Sequence, residues 1–345
     1  MNLNLKIVNP NTYKQWDQII SSFPESTFFH TSLWSKVLST SYGYKPTYFI
    51  FTKNLKPIVV IPFMEISNPL KGKSGISLPF SDFCEPLFKK ELEFGSIFDK
   101  ISEYGKQSGW KTLTFTSYYI KDSFPISHYY YSHTLILQKD NKSILKSFRN
   151  SNIRNIKKAL KSDIEILYKK SLGSIKHFYT LQCITRKKHG LPPQPFEFFL
   201  QIYENVLKKD KGIVILAKYK NDIIAGAIFF TYQDKALFKF GASKPEYQPL
   251  RPNNLVLWKG IQHFCDCGYK EFSFGKTEPD NEGLLQYKNG FNTEQKKLYV
   301  YKYHLRKNHF IQEKSKVYGI HNRIFQKTPI FILKIIGSVL YKYVG

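Results

Sequence analysis

The chain has 345 residues, 42% of them hydrophobic and 17% aromatic, which excludes global disorder and allows two domains of ordinary size. Its net charge is +26, carried almost wholly by Lys, since only six of the 52 basic residues are Arg. Four unevenly spaced Cys (84, 183, 265 and 267) suit a reducing compartment without a disulfide framework, and Cys265 and Cys267 diverge on a helix, which argues against a zinc site with His263.

A charge of this size leaves two readings open. One is a lysine-rich solvated surface; the other is an anionic partner such as tRNA, a nucleotide-linked lipid or a membrane face. The polar run Met1–Asn11 is unlike a secretory leader, and no segment reaches the ~20 apolar residues of a membrane-spanning helix. A cytoplasmic location is therefore expected.

In chain order, 3–8 reads as a strand and 11–22 as a helix carrying Trp16, Ile19 and Ile20. Thr31 or Ser32 caps a helix bearing Leu33, Trp34, Val37 and Leu38, which Gly43 ends. Residues 46–52 and 56–66 form a hairpin, and LPFSDFCEPL (78–87) is rich in turn residues. A helix over 92–108 stops at Gly109, and strands follow at 111–117 and 131–137. The second half repeats this grammar. Residues 141–162 read as one basic helix, 164–169 as a strand, 172–188 as a helix, 189–194 as a Pro-rich loop and 195–209 as a helix. An antiparallel meander over 213–241 turns at Asn221-Asp222 and Gln233-Asp234, and Gly226 marks a bend or close backbone approach in its apolar middle strand. Leu255, Trp258, Ile261 and Cys265 then recur at helical spacing up to Gly268, and strands follow at 271–274 and 298–305. The pattern predicts an α+β chain of two related domains, 1–140 and 141–310, with a helical tail at 311–345. The apolar, Lys-bearing run 329–345 is either a core-covering terminal helix or an interfacial helix on an anionic membrane.

A helix that opens beside a splayed strand makes an anion and oxyanion site, which places the chemistry near Pro252. Arg251, Asn253 and Asn254 either orient an acyl donor there or cap the helix. The preceding stretch Tyr247–Asn253 has no Gly, and its prolines remove backbone donors that a pyrophosphate cradle would need. Candidate general bases are Asp82 and Glu85, or Glu278 and Asp280, each of which also reads as a turn residue. His189 either contacts ligand or is structural, and a thiol role for Cys183 has no partner group to support it.

Four stretches carry a resemblance. They are Trp34-Ser35-Lys36, RNSNIRNIKKALK (149–161), TRKKHGLPPQP (185–195) and GLLQYKNGF (283–291). In this order they resemble the FemAB-like branch of the GNAT acyltransferase superfamily. That resemblance implies two tandem GNAT-like domains with mixed, mostly antiparallel central sheets flanked by helices. It implies an acyltransferase placing an aminoacyl or acyl group on an amine of a peptidoglycan or exopolysaccharide precursor. It also implies that Lys288, in the loop after the last helix–strand unit, stabilises the reacting carbonyl, and that Lys36 and Arg186 grip substrate phosphates. Ser117 stands where relatives place an aspartate. The expected donor is aminoacyl-tRNA or acyl-CoA, with no resident cofactor. The expected partners are a lipid- or nucleotide-linked envelope precursor, aminoacyl-tRNA and an anionic membrane. The alternative is an acyl-CoA-dependent N-acetyltransferase acting on an amino sugar or other small amine. A non-catalytic nucleic-acid binder is disfavoured, since no aromatic RNA-binding strand motif is present.

Overall fold

A computed structural model describes residues 3–89, 93–118, 124–137, 140–313 and 320–344. The chain divides into two compact units. The first comprises Met1–Tyr130, Lys297–Ser315 and Val339–Gly345; the second comprises Tyr131–Lys296 and Lys316–Ser338.

In the first unit, Asn4–Val8, Tyr48–Lys53, Lys56–Ile61 and Leu87–Phe88 form an antiparallel four-stranded sheet. The predicted hairpin is present, but its second strand stops at Ile61 and a separate strand, Met64–Asn68, joins another sheet. Pro62 at the break has no N–H to donate to a ladder. In that other sheet, Gly72–Ile76 runs parallel to Trp110–Ser117. The Phe94–Gln107 helix contributes Phe94, Ile97, Phe98 and Ile101 to a core shared with Phe49, Phe51, Trp110 and Phe115. Thr31 caps the Ser32–Tyr42 helix by accepting from the Trp34 N–H, and left-handed Gly43 ends it, as predicted.

In the second unit, the strands Gly212–Tyr219, Asp222–Tyr232 and Lys235–Ser243 form the predicted meander, and Ile164–Lys169 adds a fourth antiparallel strand beside the first. Glu271–Thr277 then pairs parallel to Lys235–Ser243 and antiparallel to residues 131–136. Ile224–Phe230 are buried on both faces, and a Cβ on Gly226 would lie 2.7 Å from Leu216 Cδ2, so the predicted close approach is real. The Pro252–Asp266 helix packs Val256, Leu257, Ile261 and Phe264 into this core.

Two further elements differ from expectation. The single helix expected over 141–162 is two, Asn141–Ser147 and Asn150–Leu160. The chain turns extended at Phe148, whose ring packs between Trp258 and Phe291, and the Arg149 N–H is taken by the Gly290 carbonyl at 2.9 Å. The segment 282–289 is a helix and not a loop; Asn281 caps it by accepting from the Leu284 N–H. Among the described residues no helix is long and apolar enough to cross a membrane, and no group of three or more His, Cys, Asp or Glu is set to hold a metal ion.

Candidate active site

The geometry that matters begins where two parallel strands part. Lys235–Ser243 and Glu271–Thr277 are paired only over Lys235–Leu237 and Glu271–Ser273; beyond that the two strands have no register. The Glu271–Thr277 strand also has a register irregularity between Ser273 and Lys276, where Gly275 takes φ +70°, a conformation that suits Gly. A splay of this kind exposes backbone between two strands of one sheet, where an extended acyl chain can insert.

One side of the splay ends at Ser243. Its hydroxyl accepts from Gln248 Nε2 at 2.7 Å and from Asn253 Nδ2 at 3.1 Å. Its N–H donates to Thr185 Oγ1 at 3.1 Å, and its carbonyl accepts the Thr185 hydroxyl at 3.3 Å. Ser243 therefore gathers the start of the Pro252–Asp266 helix and the end of the Leu172–Lys188 helix onto one strand terminus. Asn253 is not a cap. The capping position is Arg251, exposed and left-handed at φ 58°, with no side-chain bond to the helix. Asn254 is 6% exposed, and its Nδ2 finds no partner among the described residues. A buried donor without an acceptor costs on the order of 1–3 kcal/mol, which a bound carbonyl or phosphate oxygen would offset.

On the approach to that helix several amides are absent or already donated. Pro245–Leu250 is a 3-10 helix; Pro245, Pro249 and Pro252 lack N–H groups, and those of Tyr247, Arg251, Asn254 and Leu255 are already donated within the segment. The glycine-free reading of this stretch thus extends to its backbone.

Across the splay lies Lys288. It sits in the Glu282–Asn289 helix, only 4% exposed, and its Nζ donates to the Lys276 carbonyl at 3.1 Å on the parted half of the Glu271–Thr277 strand. A surface lysine, the bland expectation for one among so many, is excluded by that burial. Next to it, His133 is fully buried, with Nδ1 3.0 Å from Asn289 Oδ1. Burial, and secondly the Lys288 charge, lower its pKa to about 4 against the opposing Asn289 bond, so the ring is neutral. Its Nε2 and the hydroxyl of fully buried Thr277 find no partner among the described residues. Sequence reasoning missed His133, Ser243 and Thr277. Nothing in their spacing marks them, because each matters through a contact distant in sequence.

Arg186 and His189 end the Leu172–Lys188 helix. Arg186 Nε donates to the Pro192 carbonyl at 3.3 Å, and His189 is exposed, its carbonyl accepting from Asn322 Nδ2 at 3.3 Å. Two of the stretches that carry the resemblance also meet. Asn152 Nδ2 donates to the Tyr287 carbonyl at 3.4 Å, and a Cβ on Gly290 would lie 2.7 Å from that same nitrogen.

Lys36, Asp82 and Glu85 belong to the first unit. Lys36 is exposed on its helix. Beside it, Trp34 Nε1 donates to Ser81 Oγ at 2.8 Å, which ties the Lys36 helix to the Asp82–Glu85 loop. The Glu85 carboxylate accepts the Tyr118 N–H at 3.0 Å and its carbonyl lies 2.9 Å from His30 Nε2; Asp82 is half-buried. A depression of about 370 Å³ in this unit, lined by Lys6, Tyr13, Gln18 and Ile50 among others, contains none of these residues.

Comparison with known proteins supplies the frame. Residues 152–289 match the family described as the acetyltransferase (GNAT) domain. No curated protein matches the chain. Among solved structures, FemX is similar at a TM-score of 0.66 and 13% identity, over 87% of this chain and 97% of that one. A tandem GNAT protein from the clavulanic acid biosynthesis pathway gives 0.57 and 8%, over 88% and 99%. L-PGS from Bacillus licheniformis gives 0.52 and 11%, over 96% and 99%. At these identities the likeness is one of fold, that of two GNAT-like domains in one chain.

Proposed function

We propose that this two-domain GNAT acyltransferase transfers an aminoacyl or acyl group to an amine of a cell-envelope precursor. The observation that carries the reading is Lys288, a lysine almost wholly buried and bonded to the parted strand of the GNAT-type splay. A buried ammonium is costly to keep, and acyl transfer gives it work, because negative charge develops on the carbonyl oxygen as the amine attacks.

In this reading the donor carbonyl lies in the splay with its oxygen towards Lys288, and Asn254 Nδ2 donates to the donor near the helix start. The neutral amine attacks the carbonyl carbon, the oxyanion forms and collapses, and the ester or thioester bond breaks; the amine's proton passes by way of the base to the leaving tRNA ribose hydroxyl or CoA thiol. Asp82 and Glu85 remain the proposed bases, and one Glu85 oxygen accepts the Tyr118 N–H. Lys36, Arg186, His189 and Arg251 are the proposed contacts to acceptor and donor phosphates. The amide-poor Pro245–Leu255 approach supports aminoacyl-tRNA over acyl-CoA, since it offers little to a pyrophosphate. The name of one similar fold, the C-terminal domain of a putative lysylphosphatidylglycerol synthetase from Agrobacterium fabrum, supports a lipid acceptor.

The test pairs donors with acceptors. Aminoacyl-tRNA and acyl-CoA are each offered with a lipid-linked peptidoglycan precursor and a nucleotide-linked amino sugar. Transfer from aminoacyl-tRNA to the lipid-linked amine is expected. Micromolar CoA binding by calorimetry, with transfer from acyl-CoA to the amino sugar, would instead establish the N-acetyltransferase reading.

A further inference from the structure

The C-terminal helices leave a surface that the acyl-transfer site does not use. Ile330–Leu340 is a helix with only Leu333 and Gly337 buried; a Cβ on Gly337 would lie 2.0 Å from the Pro193 carbonyl oxygen, so that face sits tightly on the protein. On the opposite face Phe331 is 66% exposed, Ile335 62% and Val339 55%, at four-residue spacing, with Ile332 beside them. An apolar row this exposed is rare on a monomer and calls for an occupant.

The charge around it selects one. From Lys314 to Gly345 the sequence has six Lys and Arg and no Asp or Glu. Arg323 and Lys327 are exposed one turn apart on the neighbouring Ile320–Lys327 helix. Lys334 flanks the apolar row with its ammonium over the Tyr179 ring at 5.2 Å. A second copy of the chain would bring the same positive charge and repel. An eleven-residue helix is about 16 Å long and falls short of a hydrocarbon core of roughly 30 Å. It can lie in the plane of a lipid surface and cannot cross it. We infer that the Ile330–Leu340 helix docks on an anionic phospholipid surface, its Phe331–Ile335 row in the acyl boundary and the neighbouring cations at the headgroups.

The helix is held ready for this. Asn322 Nδ2 donates to the Gly190 carbonyl at 3.0 Å and Gln326 Nε2 to the Lys188 carbonyl at 3.1 Å, which fixes the preceding helix. An isolated helix of this length is marginal in water, so preformation removes the ordering cost from binding. The inference does not depend on which acyl donor or acceptor is used, because its readout is partition and not turnover.

The experiment is flotation of the full chain with vesicles of phosphatidylglycerol and phosphatidylcholine, and with phosphatidylcholine alone. Binding to the anionic vesicles is expected, with about tenfold loss in F331S/I335S and about fivefold loss for each charge removed in R323Q/K327Q. F331L, which keeps the apolar surface, is expected to bind as the parent does. Unaltered thermal midpoints show that these surface variants fold. Absence of binding by the parent, equal partition onto the neutral vesicles, or undiminished binding by F331S/I335S overturns the inference; in the last case the overall +26 charge is the cause. A parent dimer by light scattering that F331S/I335S converts to monomer overturns it in favour of a second copy.

Discussion

At the scale of single residues, Lys288 and His133 state the tension of the site. Removing one member of a buried polar contact costs stability, because its partner, here the Lys276 carbonyl, loses that donor. Lys288→Met is therefore expected to lower the unfolding free energy by about 1–3 kcal/mol while transfer falls about 100-fold, the scale of a lost oxyanion donor. Full transfer by a folded K288M protein would remove the lysine from the mechanism. His133 titrates near 4 when folded, below its ordinary 6.5, for reasons of burial first and Lys288 second. The unfolded chain then binds more protons between those values. Stability is fully present above pH 6.5 and is lost as pH falls towards 4, by about 3 kcal/mol from this residue. The check is urea denaturation from pH 7 to pH 4. The parent is expected to lose that amount relative to His133→Asn, and parallel profiles would show that the imidazole is not held neutral.

At the scale of elements, the site is kept by helices pressed against each other through glycines. Gly290 gives way to the Asn152 amide, and Gly190, left-handed at φ +66°, to the Asn322 carbonyl, 2.2 Å from where a Cβ would stand. Gly283 lies in the same helix as Lys288 with open space around it. Gly290→Ala is expected to cost about 1–3 kcal/mol through the crowded amide. Gly190→Ala is expected to cost more, since the steric contact is with backbone and the conformation is unfavourable as well. Gly283→Ala is expected to stabilise by about 0.5–1 kcal/mol. Thermal denaturation of the three ranks them, and a neutral Gly290→Ala would show that the contact between the 149–161 and 283–291 stretches is loose.

At the scale of the whole molecule, the +26 charge decides how donors are drawn in. A tRNA donor releases counterions on binding, so its apparent affinity is expected to fall at least about tenfold between roughly 50 and 200 mM salt. A small thioester donor, with few phosphates, is expected to change far less over the same range. Transfer assays at varied salt with each donor measure the difference directly. A flat response with aminoacyl-tRNA would mean that the excess lysines face solvent and not nucleic acid.

Local pattern by itself determined the meander strands and their turns, the Thr31 cap and Gly43 stop, the close approach at Gly226 and the Pro-rich run before Asn253. Periodicity, prolines and turn residues act within a few positions of themselves, so they are legible without a partner. The tertiary structure alone decided what sits in the site. The break at Phe148 comes from a ring taken into the core and an N–H taken by Gly290, 141 positions away. The burial of Lys288 depends on the strand that covers it, and Asn253, read as a donor contact or a cap, is tied to Ser243 because that strand end is near. His133, Thr277 and the orphaned Asn254 amide acquire meaning only once burial separates them from water, and burial is a property of distant contacts that no window of the sequence contains.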